Sequence, residues 1–350
     1  MSAVLEIVAP GLSTSLQDRG RPGLQRYGIP PAGALDPEGL AIANALVGNP
    51  VDWAALEIRM LGPTLRALDA PVQVALAGAA VAMGLTRSDG SVETVAGWRS
   101  VTLAPGETLA VGALREGATA YLAAGGGFGV AAVMGSASTL ARAGLGGIEG
   151  RALAAGDRLH VPGMPGGPER MLPAPPGPPP SPLPVRLVLG PQDDHFTAEA
   201  IETLLSASWR VSAKADRMGL RLEGPRLEHR PPPKGADIVS DGIVTGAVQV
   251  PASGQPILLL VDRQTSGGYA KIAAAVTADL PGVGRLGPGA LIRFEAVEAS
   301  AGAALAAGAA RRLEALLATI RPWRPGGIDV DALWRENLIQ PPIGVSEDGP

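Results

Sequence analysis

The chain of 350 residues contains no cysteine. That excludes disulfides, thiol nucleophiles and cysteine metal sites, and it fits a cytoplasmic setting. Aromatic residues make up only 3% of the chain, so alanine, valine and leucine must fill its cores. Long basic runs are missing, and the formal net charge is −4. A nucleic-acid partner is therefore not expected. The opening MSAVLEIVAPG carries Glu6 and no basic stretch ahead of an apolar run, so it does not read as a signal peptide. The charge-free residues 117–141 are broken by Gly125, Gly126, Gly127, Gly129 and Gly135. They read as strand, loop and strand, not as the ~20 apolar residues of a membrane helix, and no membrane association is expected. No G-x-x-x-x-G-K-[ST] motif occurs, so there is no P-loop. His160, His195 and His229 are scattered without metal-ligand spacing, so no metal site is expected. His195 sits at a strand exit and reads as a surface histidine. No nucleophile–histidine–acid triad follows from the residue order.

What the chain has in quantity is glycine and proline, 48 and 34 residues. Both punctuate short strands and break helices. Apolar runs recur at residues 4–8, 72–76, 101–103, 120–123, 186–189, 257–261 and 291–294, with turn signals between them. The pattern is mainly β, of the sandwich or barrel kind, with a few short helices. One helix is announced by Asp36 as N-cap, Pro37 at the first turn and Gly48 as stop. Residues 197–205 and 301–320 give two more. The Pro- and Gly-dense stretch 162–184 reads as a semi-rigid linker. It separates a β domain at 1–161 from a second at 185–298. A helix and tail follow at 299–350, with Trp323 and Trp334 expected to dock on the surface.

The stretch richest in chemistry is residues 240–271. An apolar strand runs into Asp262, Arg263, Gln264, Thr265, Ser266, Gly267, Gly268, Tyr269, Ala270 and Lys271. The paired glycines suggest a sharp turn that lets backbone approach a ligand. Arginine, glutamine, hydroxyls and lysine around them can grip an amide, a carboxylate or a phosphate. Gln249, on the preceding strand, adds an amide to the same pocket. Arg217, in ADRMGLRL, reads as a carboxylate or phosphate clamp, or as an ion pair with Asp216 or Glu223. Gln17, in QDRGRPG, reads as part of a ligand rim, or of a charged turn in which Asp18 bonds backbone. The helix bearing Asn44 presents its positive end to a ligand, or is simply capped by Asp36. Gly125–127 read as close backbone packing or an anion nest. Glu149 and Arg151 read as a pair across a turn.

Taken together, these motifs resemble the allophanate-hydrolase-subunit-2 family, which covers the C-type component of bacterial 5-oxoprolinase and the carboxyltransferase half of urea carboxylase. The likeness is carried by LQDRGRPG at 16–23, PPAGALD at 30–36, ANALVGN at 43–49 and LEIRMLGP at 56–63. GGIEGRAL at 146–153, GPQDDHF at 190–196, DRMGLRLEGP at 216–225 and the run from GAVQVPASGQ to SGGYAKIA at 246–273 continue it. The family usually has serine where Ala32 stands, threonine for Ser266 and proline for Ala270. The resemblance implies two cyclophilin-like β-barrel domains and a hetero-oligomer with B-type (allophanate hydrolase subunit 1-like) and A-type subunits. It implies a small amide or urea substrate, and ATP used by the complex to open 5-oxoproline to glutamate. An alternative is a carboxyltransferase that moves carboxyl to urea or a similar amide from biotin on a separate carrier. A non-catalytic regulatory partner of a B-type subunit is the third reading. For the chemistry, Arg263, Gln264, Tyr269, Lys271 and the backbone near Gly267 and Gly268 are candidates to stabilise charge on a carbonyl oxygen or nitrogen. Asp262 or Asp36 is the candidate proton acceptor.

Overall fold

The computed structural model describes residues 2–163 and 167–324. In the first half, two antiparallel sheets of six and five strands stack face to face. Alternation places Ala3, Leu5 and Ile7 of strand Ala3–Ala9 in the core between them. The five-stranded sheet is covered on its other face by helix α1, Pro37–Leu46. Its central strand, Arg115–Ala124, is therefore buried on both sides from Ala118 onward. Ala120, Leu122 and Ala124 face the sandwich core, while Tyr121 and Ala123 face α1. A run of small apolar residues is what such a doubly covered strand requires. The expected second strand of residues 117–141 does not form. Gly126 and Gly127 take positive φ and end the strand, packing against Gly163 and Trp53. The chain beyond them is held by Asp18, which accepts from Ser136 Oγ, Ser138 Oγ and Ala137 N at 2.5–2.7 Å.

The second half is a closed barrel of seven strands. Strand Leu183–Leu189 pairs parallel with Leu291–Ala296 and antiparallel with Lys271–Ala275, which closes the ring. Leu187, Trp209, Val248, Leu258, Ile272 and Phe294 fill its interior. Helix α2, Ala198–Ser206, starts at Thr197, whose side chain caps it, and adds Leu204 to that core. A short helix α3, Leu280–Gly284, leads into Arg285 at the contact with the first half. The long helix α4, Ala299–Leu317, lays Leu313, Leu316 and Leu317 on the cluster around α1. In the Pro-rich segment, Arg170–Met171 pairs with Arg321–Pro322. Trp323 lies under the Arg99 guanidinium, 3.6 Å from its ring centre, so it docks as expected; Trp334 falls outside the described residues. No helix among the described residues is long and apolar enough to cross a membrane.

The halves meet through backbone as well as charge. Ala32 N donates to Val261 O at 3.1 Å, and Ala118 N to Arg285 O at 2.7 Å. A Cβ on Gly284 would stand 2.1 Å from Leu35 O, so this approach requires glycine.

Candidate functional site

The sequence-predicted residues fall into three places. The first is a cleft of about 540 Å³ on the outer face of the barrel. Gln249, Gln264 and Tyr269 line it, with Ile257 and Leu259 as an apolar wall and Asp216 and Met218 at one side. Val248 and Val250 point into the barrel core, so alternation turns Gln249 outward between them. Its side chain is nonetheless buried. Gln264 Nε2 donates to Gln249 Oε1 at 3.4 Å, and Gln249 Nε2 to Tyr269 O at 3.4 Å. Both bonds lie at the long limit of hydrogen bonding. The two amides are thus held side by side with donors and acceptors only weakly engaged, which suits them to pair with another planar amide.

Behind this pair the expected glycine turn is absent. Ser266–Tyr269 is a strand, paired with Asp237–Gly242 as a two-stranded ribbon. Gly267 and Gly268 sit in it with neither at positive φ. The reason for glycine at 267 is space: a Cβ there would meet Ile243 Cδ1 at 2.8 Å and Gln249 Nε2 at 3.0 Å. Thr265 contributes its backbone, with Thr265 O accepting from Ile243 N at 3.0 Å. Ser266 is exposed and pairs with Gly242.

Two cations lie beneath. Arg263 is 1% exposed and bonds only carbonyls among the described residues, Ile243 O and Leu260 O, at 3.0–3.4 Å. Burial lowers its pKa to about 10. Lys271 is the strand partner of Gln249 at a point where the register shifts, and it is also buried. Its Nζ is 3.2 Å from Asp241 Oδ2 but makes no well-formed hydrogen bond. The ammonium holds the Asp241 carboxyl below its usual range.

The second place is the joint between the halves. Arg217 donates to both Asp262 oxygens at 2.8 and 2.9 Å, to Glu57 Oε1 at 2.5 Å and to Gly33 O at 2.7 Å. Its partners are therefore Asp262 and Glu57, not Asp216 or Glu223. Burial works against the Arg217 charge, and the two carboxylates outweigh it, leaving its pKa above the ordinary value. Burial pushes the Asp262 carboxyl up, with Arg217 pulling the other way. Glu57 Oε2 also accepts from Tyr121 Oη at 2.6 Å and Leu35 N at 2.9 Å. Asp36 caps α1 through Glu38 N and Gly39 N and receives Arg285 Nε at 2.6 Å. Both candidate proton acceptors are thus occupied by structural partners.

Third, Asn44 and Gln17 lie in the first half, away from the cleft. Asn44 Nδ2 donates to Trp53 O at 2.7 Å, and Gln17 Nε2 to Thr139 O at 3.1 Å. Each fixes a loop. Glu149 and Arg151 do pair, at 3.0 Å. His195 Nδ1 lies 2.9 Å from Gly235 O. Sequence reasoning missed Glu57, Arg285 and Asp241. Glu57 had a usable signal: a lone acid within the apolar strand ALEIR must be buried and needs a cation. Among the described residues, no group of three or more His, Asp or Glu forms a metal cluster.

A β-barrel carrying an amide-lined cleft, joined to a β-sandwich by buried ion pairs, defines a class. The chain belongs to the carboxyltransferase domain family, subdomains A and B, which matches residues 27–296. Among characterised relatives it is 37% identical to the C-type component of 5-oxoprolinase from Escherichia coli, across 83% of this chain and 90% of that protein. It is 32% identical to a putative urea carboxylase of Emericella nidulans, across 84% of this chain and 24% of that one. The Kluyveromyces lactis urea amidolyase structure superposes with a TM-score of 0.78 at 28% identity, covering 94% of this chain and 20% of that one. The chain therefore spans most of the bacterial protein and a small part of the fungal ones.

Proposed function

We propose that this chain is the C-type component of an ATP-dependent 5-oxoprolinase, working with B-type and A-type subunits in the cytoplasm. The observation that carries this reading is likeness along almost the whole length of the bacterial C-type component, together with a cleft whose chemistry suits a lactam. Opening 5-oxoproline to glutamate adds water across a resonance-stabilised C–N bond. The site must orient a planar amide and stabilise negative charge as it develops on the carbonyl oxygen. In this reading Gln249 and Gln264 pair with the lactam N–H and C=O. Arg263 supplies a fixed positive field in a dry setting, where such a field acts most strongly, and Lys271 is a second buried cation available to hold the substrate. Tyr269 and the backbone of the 265–268 segment close the rim. Arg217, Asp262 and Asp36 hold the halves in place and take no proton. ATP is a cofactor of the complex, and this chain's residues are not assigned to it.

The same amide pair suits a ureido group, and the family is that of carboxyltransferases. A second reading is therefore transfer of carboxyl to urea or a similar amide from biotin on a separate carrier. One experiment separates the two. The purified chain is combined with A- and B-type subunits, ATP and 5-oxoproline, and glutamate is measured. Glutamate should form only with all components present. Lys271→Ala should lower it by about 10²-fold or more, the scale for loss of one buried charged group that holds the substrate for reaction. Complete mixtures that yield no glutamate, but carboxylate urea when given a carboxybiotin carrier, would overturn the first reading in favour of the second.

A further inference from the structure

We propose that Lys271 Nζ is a carboxylate-binding subsite that Asp241 fills in the free protein and that an incoming ligand carboxylate takes over. The inference rests on the reading of the barrel cleft above, and it adds a subsite beside that cleft, since Lys271 and Asp241 stand next to its lining and not in it. Lys271 is 2% exposed. A buried ammonium normally has its donors satisfied or gives up its proton. Among the described residues this one has a single carboxylate in ion-pair range, Asp241 Oδ2 at 3.2 Å, and Nζ is left without a well-formed hydrogen bond. The donor capacity is present and poorly used. Asp241 is a different kind of group. Its side chain is 53% exposed, and it lies on the outer strand of the Asp237–Gly242 ribbon, where Val239 is 92% exposed. Its other side-chain contact to a barrel residue is a 3.3 Å bond from Gln192 Nε2. The pairing of this ribbon shifts register between Asp237 and Asp241. Asp241 therefore reaches a fixed, buried cation from a lightly held surface strand.

Lys271 also adjoins the amide pair. It is the cross-strand partner of Gln249. The register shifts at this pair, and the adjacency is carried by Gly267: it pairs with Asp241, and a Cβ on it would stand 3.0 Å from Gln249 Nε2. A ligand whose amide lies on Gln249 and Gln264 and which carries a carboxylate can place it on Lys271 with Asp241 displaced. The geometry points to ligands carrying both groups and disfavours neutral amides.

The test uses amine labelling of the full-length chain. The sequence holds only three lysines, Lys214, Lys234 and Lys271, so peptide mass spectrometry reads each one, with Lys214 as internal reference. Asp241→Asn keeps the shape and the bond from Gln192. It should raise the labelling rate of Lys271 relative to Lys214 by roughly fivefold, the factor one partly exposed ion pair carries. Asp241→Ala should do the same, which guards against a particular effect of asparagine. In both variants 5-oxoproline should protect Lys271, and neutral 2-pyrrolidinone should not. Unchanged labelling in both variants, or equal protection by the two compounds, would overturn the proposal. The readout needs no turnover. An assembled complex that fails to make glutamate would count against the enzymatic reading and leave the carboxylate subsite standing or falling on labelling alone.

Discussion

Arg217→Ala should be the most destabilising single change in the joint between the two halves. The guanidinium bridges Asp262, whose side chain is 10% exposed, and Glu57, whose side chain is 0% exposed. Its deletion leaves two carboxylates in a dry interface with no cation between them. Removing one partner of a buried ion pair costs ~3–5 kcal/mol, against ~0–1 kcal/mol for an exposed pair. The carbonyl of Gly33 also loses its donor, which adds about 1 kcal/mol. Equilibrium urea unfolding at pH 7.5 should therefore show a loss of at least ~3 kcal/mol. The pH dependence carries a definite sign. Burial already pushes Asp262 above its usual range while Arg217 pulls it down. Without Arg217 the folded-state pKa rises further, so the folded protein binds a proton that the unfolded chain does not. Stability then falls as pH rises through that pKa, and the deficit of the variant should shrink as pH is lowered from 7.5 towards 5. Adding Asp262→Asn to Arg217→Ala should recover part of the loss at pH 7.5. A deficit below ~1 kcal/mol that is flat with pH would mean the bridge behaves as a solvated surface pair, and the account of the joint would be refuted.

Two further substitutions separate folding from function in the cleft. Arg263 has no carboxylate partner among the described residues, and burial lowers its pKa to about 10; its folding cost is thus present below that pH and is relieved as pH rises from there towards the unfolded value. Arg263→Met removes a buried unpaired charge but also the bonds to the Ile243 and Leu260 carbonyls, worth ~1 kcal/mol each, so stability should stay within ~2 kcal/mol of wild type while glutamate formation by the complex is depressed; lower stability with full activity would assign Arg263 a purely structural part. Gly267→Ala drives a Cβ against Ile243 and Gln249 Nε2, which should cost roughly 1–3 kcal/mol by overpacking and raise KM for 5-oxoproline. Gly268→Ala meets nothing nearer than Ile238 O at 3.4 Å and should stay within ~0.5 kcal/mol of wild type. Equal effects of the two alanines would remove the steric reason given for Gly267.

The fold was legible where local signals were strong. Asp36 followed by Pro37 specified the start of α1, and the cap bonds form as that order requires. Short apolar runs marked strands because each such strand buries at least one face. The signals failed where one residue type serves two ends. Gly267 and Gly268 suggested a turn because glycine tolerates positive φ, yet here it is the missing Cβ that matters, and only the packing of Ile243 and Gln249 reveals it. For charged residues the partners were the part that local signals could not supply. Arg217, Asp262 and Asp36 have the composition of a catalytic cluster, and their partners Glu57 and Arg285 are 160 and 249 residues away in sequence. No spacing rule reaches that far. Gln249, Gln264 and Tyr269, grouped in the sequence, line one cleft because strand order brings them to one face of the barrel.

Asp262 and Gln264 stand two residues apart, yet one belongs to the joint and the other to the cleft. Arg217 is similarly placed, since its neighbours Asp216 and Met218 line the cleft while its guanidinium reaches Glu57 in the first half. The Arg217 guanidinium thus ties both sides of the cleft to the sandwich, alongside a contact from Arg142 to Met218 and a bond from Gln25 Nε2 to Ile243 O at 2.8 Å. A shift of the halves by even an ångström would be felt at the amide pair, because Gln264 Nε2 already holds Gln249 at the limit of hydrogen-bond length. The cleft is built only from barrel residues, but its geometry depends on the joint. A barrel cut away from the sandwich would keep every lining residue and lose the anchor that sets their spacing.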